Sequence, residues 1–139
     1  MGRTAALRID RTWDGRPARP DEIVRLEIER GGGRLVLRVD APFHADPPPG
    51  APPGSAERLW EHEAVEVFLL GRGGEYLEVE MGPHGHYLVL RFRGPRNAVE
   101  RGIPLGYEAR IEGRRWRGRA ALPVGRLPDG IDRVNAYAV

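Results

Sequence analysis

Apolar and charged side chains alternate with a period of two along most of this chain, and that alternation constrains the fold more than any other feature. Leu26 and Ile28 alternate with Arg25, Glu27 and Glu29; Leu77, Val79 and Met81 with Tyr76, Glu78 and Glu80; Tyr107, Ala109 and Ile111 with Glu108, Arg110 and Glu112. A strand sends successive side chains to opposite faces, so this reads as antiparallel sheet with one face packed and one wet. Breakers fall between the runs: Gly31-Gly32-Gly33, Gly71-Arg72-Gly73-Gly74, Gly82-Pro83, Gly94-Pro95 and Gly113. Turn signals at such short intervals predict a sandwich or barrel. Strands are expected at 5–12, 22–30, 34–41, 64–70, 75–82, 86–93, 105–112, 115–122 and 132–139. Val67-Phe68-Leu69-Leu70 and Leu88-Val89-Leu90 are unbroken apolar runs, which suits strands covered on both faces. No long helical stripe exists; Val124-Gly125-Arg126-Leu127 offers one turn before Pro128.

One stretch departs from the pattern. Residues 42–60 hold six prolines (Pro42, Pro47, Pro48, Pro49, Pro52 and Pro53) and form no plausible strand. A long connection without its own secondary structure is uncommon within a domain. Proline stiffness lowers the entropy lost on ordering, so an ordered loop lying over one face of the sandwich is expected. The length of 139 residues fits a single all-β domain, an antiparallel β-sandwich of about nine strands spanning 1–139.

Composition narrows the function more by exclusion than by indication. There is no cysteine, which removes thiol catalysis, thiolate zinc sites and disulfides. All 22 basic residues are arginine, so Schiff-base chemistry and a lysine-bearing phosphate loop are excluded as well. Ser55 is the only serine and sits in no nucleophile elbow. The lack of lysine and glutamine, with much Arg, Ala, Gly and Pro, looks like a GC-rich and thermophile-like composition. No apolar run reaches membrane-spanning length, and Met1-Gly2-Arg3-Thr4 is no secretory leader, so the expectation is a cytoplasmic protein with no membrane partner. The net charge is only +2, a weak basis for a nucleic-acid partner.

Chemistry is concentrated in Leu59-Trp60-Glu61-His62-Glu63-Ala64-Val65-Glu66, directly after the proline stretch, and in the next strand and turn with Glu75, Glu78, Glu80, His84 and His86. Trp60 stands where a loop meets a strand, a usual place for binding residues on a rigid scaffold. Its indole can stack on a pyranose face while Glu61, His62 and Glu63 accept or donate to hydroxyls. Trp60, Glu61, His62, Glu63 and His84 are therefore the candidate ligand contacts. Glu66, Glu78, Glu80 and His86 are candidate metal ligands, with calcium the cation that carboxylates suit. The competing reading makes these glutamates a solvated face balanced by cross-strand arginines. Glu66 depends on register. A four-residue Gly71–Gly74 loop turns it into the core, and a loop one residue longer or shorter sets it beside Glu78 and Glu80.

A second cluster, Arg110 to Arg119 with Trp116 inside it, has arginines that can hold phosphates. Trp116 opens an alternating strand and reads as a core anchor, and the arginines face Glu108 and Glu112 as readily as a nucleic acid. Nucleic-acid binding is not favoured.

Thr12-Trp13-Asp14-Gly15, Ala41-Pro42-Phe43-His44-Ala45-Asp46-Pro47-Pro48, Leu59-Trp60 through Val67-Phe68, Tyr76-Leu77-Glu78-Val79-Glu80 and Pro83-His84-Gly85 resemble a family of uncharacterised proteins of unknown function. That family in turn resembles the family-9 carbohydrate-binding modules and DOMON-type β-sandwiches, over residues 60–92. The resemblance implies an antiparallel sandwich in which aromatic rings clamp a terminal sugar beside calcium. It implies Trp60 as a ring, with Glu61, Glu63, Glu66 and Glu80 as acidic neighbours. DOMON relatives that bind haem use Met and His ligands, which points to Met81 and His84 here. The sequence thus favours a non-enzymatic module for a carbohydrate or similar small polar ligand. The alternatives are a structural or protein-interaction sandwich with no small ligand, and a cation-dependent enzyme. Oligomeric state leaves no trace in the sequence.

Overall fold

The chain folds, in a computed structural model that describes residues 3–12 and 14–138, into two stacked β-sheets, a single-domain sandwich. The first sheet has the order β1 (Arg3–Ile9), β2 (Val24–Gly31), β3 (Arg34–Pro42), β10 (Arg115–Pro123) and β9 (Gly106–Glu112), all antiparallel. The second runs β11 (Arg133–Ala138), β5 (Val65–Leu70), β6 (Glu75–Met81) and β7 (His86–Arg93), also antiparallel. Two short strands share the remaining edge of β7. β4 (Gly54–Ser55) pairs with its start in parallel, and β8 (Ala98–Glu100) pairs with its end across a bulge.

Each of the nine expected segments coincides with a strand, because alternation writes the inward face directly into the sequence. β1 begins and ends earlier than expected. Beyond β1 the chain returns on itself, with Thr12 N–H bonded to Arg16 O and Ala18 N–H to Asp10 O. Trp13, part of the first family motif, lies outside the described residues. β4 corrects the expectation that 42–60 holds no strand. Two residues are too few for a period, so no sequence pattern betrays it. β8, with three residues, escaped for the same reason. The turn at Val124–Arg126 is a single 3-10 turn that ends before Pro128, as expected.

Between the sheets lies one core. Leu26, Ile28, Leu35, Leu37 and Val39 face Val65, Val67, Leu69, Leu77, Val79, Met81 and Val89, and Trp116, 1% exposed, fills the space at the β10 side. Tyr107 reaches across the core, its hydroxyl donating to Gly82 O at 2.6 Å. Gly118 makes that crossing possible, since a Cβ there would stand 2.6 Å from the Tyr107 oxygen. A second, smaller apolar cluster lies outside the second sheet, where Leu59 and Ala64 pack on Leu88 and Leu90. β7 is thereby covered on both faces, as its unbroken apolar run implies.

Candidate functional site

The proline loop is ordered by the side chains that the sequence singles out for ligand binding. Glu63, 6% exposed, accepts from the backbone N–H of His44 at 2.8 Å and of Asp46 at 3.4 Å. His86 is buried, with Nε2 2.7 Å from Ala51 O; a carbonyl only accepts, so Nε2 carries the proton. His62 donates through Nδ1 to Pro47 O at 3.2 Å. Phe43 meets His84 edge-on at 5.7 Å between ring centres, and the His84 Nε2 is buried without a partner. β4 completes the attachment, with Gly54 N–H donating to Gly85 O and Ala56 N–H to Tyr87 O. Glu63, His62 and His86 thus already spend hydrogen-bonding capacity on the loop. Hydrogen bonds to a carboxylate contribute about 1.5–3 kcal/mol each, so Glu63 is the strongest of these fastenings.

Trp60 lies on a 3-10 turn, Leu59–Glu61, that crosses the outside of β7. Leu59 is the residue of that turn driven into the apolar cluster, while the Trp60 ring is left 43% exposed. Arg58 before it takes a left-handed backbone (φ 58°), which turns the chain so that Leu59 points in and Trp60 out. Glu61 is exposed and lies 3.6 Å from Arg58. Trp60 and Glu61 are available to a ligand. His84 is held against Phe43, and Met81 lies fully buried in the main core.

Register settles Glu66. Leu70 pairs with Tyr76, a connection one residue longer than the glycine loop, so Glu66 stands directly opposite Glu80 and next to Glu78 on the outer face of the second sheet. Glu80 is 0% exposed and no donor group of another residue reaches either of its oxygens. Burial above all, then a side-chain hydrogen bond with Glu78 and the charges of Glu78, Glu66 and Glu57, pushes its pKa up from 4.5 to about 9. Burial and Glu78 raise Glu66 to about 7. The raised pKa favours the protonated form of Glu80 at neutral pH. His86 shares this face but is turned to Ala51. Among the described residues, no group of three or more His, Asp or Glu is arranged to hold a metal ion.

Two features of the outer faces went unread in the sequence. On the second sheet, Tyr137, Phe68, Tyr76 and Phe92 form a row of rings across β11, β5, β6 and β7. Phe68 meets Tyr137 edge-on at 5.7 Å and lies 6.3 Å from Tyr76, which stacks on Phe92 at 4.6 Å. A shallow cavity of about 260 Å³ opens among Phe68, Leu70, Tyr76, Asn135 and Tyr137, with Tyr137 56% exposed. Glu66 is cross-strand to Tyr137, and Glu78 to Phe68. The available signal was parity: Phe68 shares a face with Glu66, and Tyr76 with Glu78 and Glu80.

On the first sheet, Arg25, Glu27, Arg38, Asp40, Glu108, Arg110, Arg117 and Arg119 line a concave groove of about 610 Å³. The arginine cluster read from the sequence divides here. Trp116 is in the core, and Arg115 is structural, donating through Nε to Asp40 Oδ1 at 2.7 Å and through its terminal nitrogens to Asp21 O and Ile23 O. Arg110, Arg117 and Arg119 face the groove.

The described residues contain no helix long and apolar enough to cross a membrane. No family model matches the chain, and no solved structure matches it significantly. Curated relatives do match. The chain is 41% identical over 134 residues to the UPF0462 protein C4orf33 homolog of Danio rerio, covering 94% of this chain and 68% of that protein. It is 36% identical over 136 residues to UPF0462 protein C4orf33 of Homo sapiens, covering 96% and 68%. The Mus musculus homolog is 38% identical over 138 residues, covering 96% and 70%. At this identity and coverage, the β-sandwich with its strapped proline loop belongs to the UPF0462 family.

Proposed function

We propose that this domain is a non-enzymatic binding module that takes a carbohydrate on the outer face of its second sheet. The observation that carries the reading is the cavity bounded by Phe68, Tyr76, Tyr137 and Asn135, with Glu66 and Glu78 as cross-strand neighbours. The exposed Tyr137 ring, with the half-buried Phe68 and Tyr76 beside it, offers an apolar surface to the C–H face of a pyranose. Carboxylates accept its hydroxyls in charge-assisted bonds, and an asparagine amide both donates and accepts. A volume of about 260 Å³ is below the usual range for drug-sized ligands, which suits one sugar unit. The resemblance to family-9 carbohydrate-binding modules supports the same ligand class. In this reading the ring contacts come from the row ending in Tyr137 rather than from Trp60 alone. Trp60 sits over β7 on this side of the sheet, displayed on the turn that caps it.

Titration calorimetry against a panel of mono- and oligosaccharides tests the proposal. Binding by the wild type that Tyr137→Ala abolishes, with the melting temperature unchanged, is the expected result. An absence of heat with every sugar at millimolar concentration overturns it, as does binding that survives Tyr137→Ala.

A further inference from the structure

The outer face of the second sheet carries a charge imbalance that survives a count of the ion pairs around it. Register sets its rows: Tyr137, Glu66 and Glu80 in one, and Asn135, Phe68 and Glu78 in the next, across β11, β5 and β6. The arginines that flank this face are each paired with another carboxylate. Arg133 lies 3.6 Å from Asp132, Arg58 3.6 Å from Glu61 and Arg101 3.8 Å from Glu57. Among the described residues, none of Glu66, Glu78 and Glu80 takes part in an ion pair. Glu80 is fully buried with no donor of another residue at its oxygens, and its carboxyl lies among those of Glu78 and Glu66.

Covered carboxylates without a counter-charge are costly. Burial, and then the charge of Glu78, has already raised Glu66 to about 7. A cation relieves that strain, and the geometry decides which kind. Calcium needs about six or more oxygens around it. Among the described residues, no three His, Asp or Glu are arranged to hold a metal ion. An organic ammonium needs less, a carboxylate and ring faces within about 6 Å. Both stand here. Glu66 is directly opposite Tyr137 and Glu78 directly opposite Phe68, a relation that sets Cβ atoms about 4.5–5.5 Å apart. The rings are not coplanar: Tyr137 stands at 78° to Phe68, and Phe68 at 50° to Tyr76. Ring surfaces therefore meet a guest in the cavity from more than one direction.

We infer that this cavity selects a protonated amino sugar, a hexosamine with a free amine, its ammonium held between Glu66 and the Tyr137 ring. The inference rests on the carbohydrate reading above and narrows its ligand. The ammonium has three donors, so Glu78 accepts a second N–H or a neighbouring hydroxyl, and the pyranose lies against Phe68 and Tyr76. The cation takes the place of a proton on Glu66. Facing that carboxyl are Tyr137 on β11 and Glu78 and Glu80 on β6, with Glu57 of the covering segment beyond Glu80.

The probes are glucosamine, glucose and N-acetylglucosamine, titrated by calorimetry at about pH 7 and about pH 5.5. Glucosamine is expected to bind about tenfold tighter than the other two at the higher pH, from one cation–π contact and one ion pair. The preference should shrink severalfold at the lower pH, where Glu66 is protonated, and again in high salt. Glu66→Gln should bring glucosamine down to the level of glucose and leave glucose itself unchanged, because the amide keeps an acceptor oxygen and loses the charge. Its melting temperature should not fall, since the change relieves repulsion with Glu78. Glu27→Gln, on the other sheet, should leave all three titrations as they are. Equal binding of glucosamine and glucose, or a preference that Glu66→Gln or the lower pH leaves intact, overturns the inference while the carbohydrate reading stands. No heat with any sugar of the panel removes both.

Discussion

The two outer faces of this sandwich are built from the same alternation and carry carboxylates at the same kind of position, yet they treat them differently. On the first sheet every glutamate and aspartate of the groove is at least partly open to water, among arginines. On the second, Glu80 is fully covered with no donor to its oxygens, Glu66 is half-buried beside it, and Glu63 is covered but satisfied by two backbone N–H groups. The difference comes from the segment laid over the second sheet. Leu59 and Ala64 bury the adjoining part of β7, and the proline loop closes over the end where Glu63 and His86 stand. A carboxylate that is inexpensive on an open face becomes a stored cost beneath a cover, unless hydrogen bonds compensate it.

That contrast is most exposed to pH. Glu66 and Glu80 titrate near 4.5 when unfolded but near 7 and 9 in the fold, so the folded state holds more protons over that interval. Their contribution is full below about 4.5 and is lost as pH rises, the reverse of a salt-bridged carboxylate. Stability should fall by on the order of 3 kcal/mol between about pH 5 and about pH 8, seen by urea denaturation at both. Glu80→Gln should remove most of that slope and melt above wild type on the alkaline side. A flat wild-type profile would mean that Glu80 is as solvated as its counterparts on the first sheet.

Next in size is the fastening of the cover. Glu63→Ala removes the acceptor for His44 and Asp46 and should cost about 2–3 kcal/mol. It should also open residues 44–53 to limited proteolysis. An unchanged digestion pattern would show that β4 and His86 suffice to hold the loop.

Smaller again is Trp60→Ala, expected to cost about 1 kcal/mol or less because the ring is 43% exposed. Trp116→Ala, the buried counterpart, should cost about 3–5 kcal/mol. Equal losses in chemical denaturation would place Trp60 in a core after all. At the bottom of the scale, Glu27→Gln on the open face should change stability by no more than about 0.5 kcal/mol. A larger loss would mean that the first sheet's charges are coupled as tightly as those under the cover.

What the sequence by itself determined is the set of strands and their inward faces. Leu26, Ile28, Leu77, Val79 and the rest point inward because each strand alternates, and alternation is local information. Trp116 could be assigned to the core in the same way. Tertiary structure decided what the outward residues do. The register between β5 and β6, fixed one residue beyond the glycine turn, put Glu66 against Glu80. The fate of Glu63 and His86 rested on contacts with His44 and Ala51, 19 and 35 residues away, which no local pattern encodes. The aromatic row joins Phe68 and Tyr76 to Tyr137, about 60 residues on, and the groove joins β2 to β9. Such sites arise where strands distant in sequence become neighbours, so their chemistry is written in residue types but assembled only by pairing.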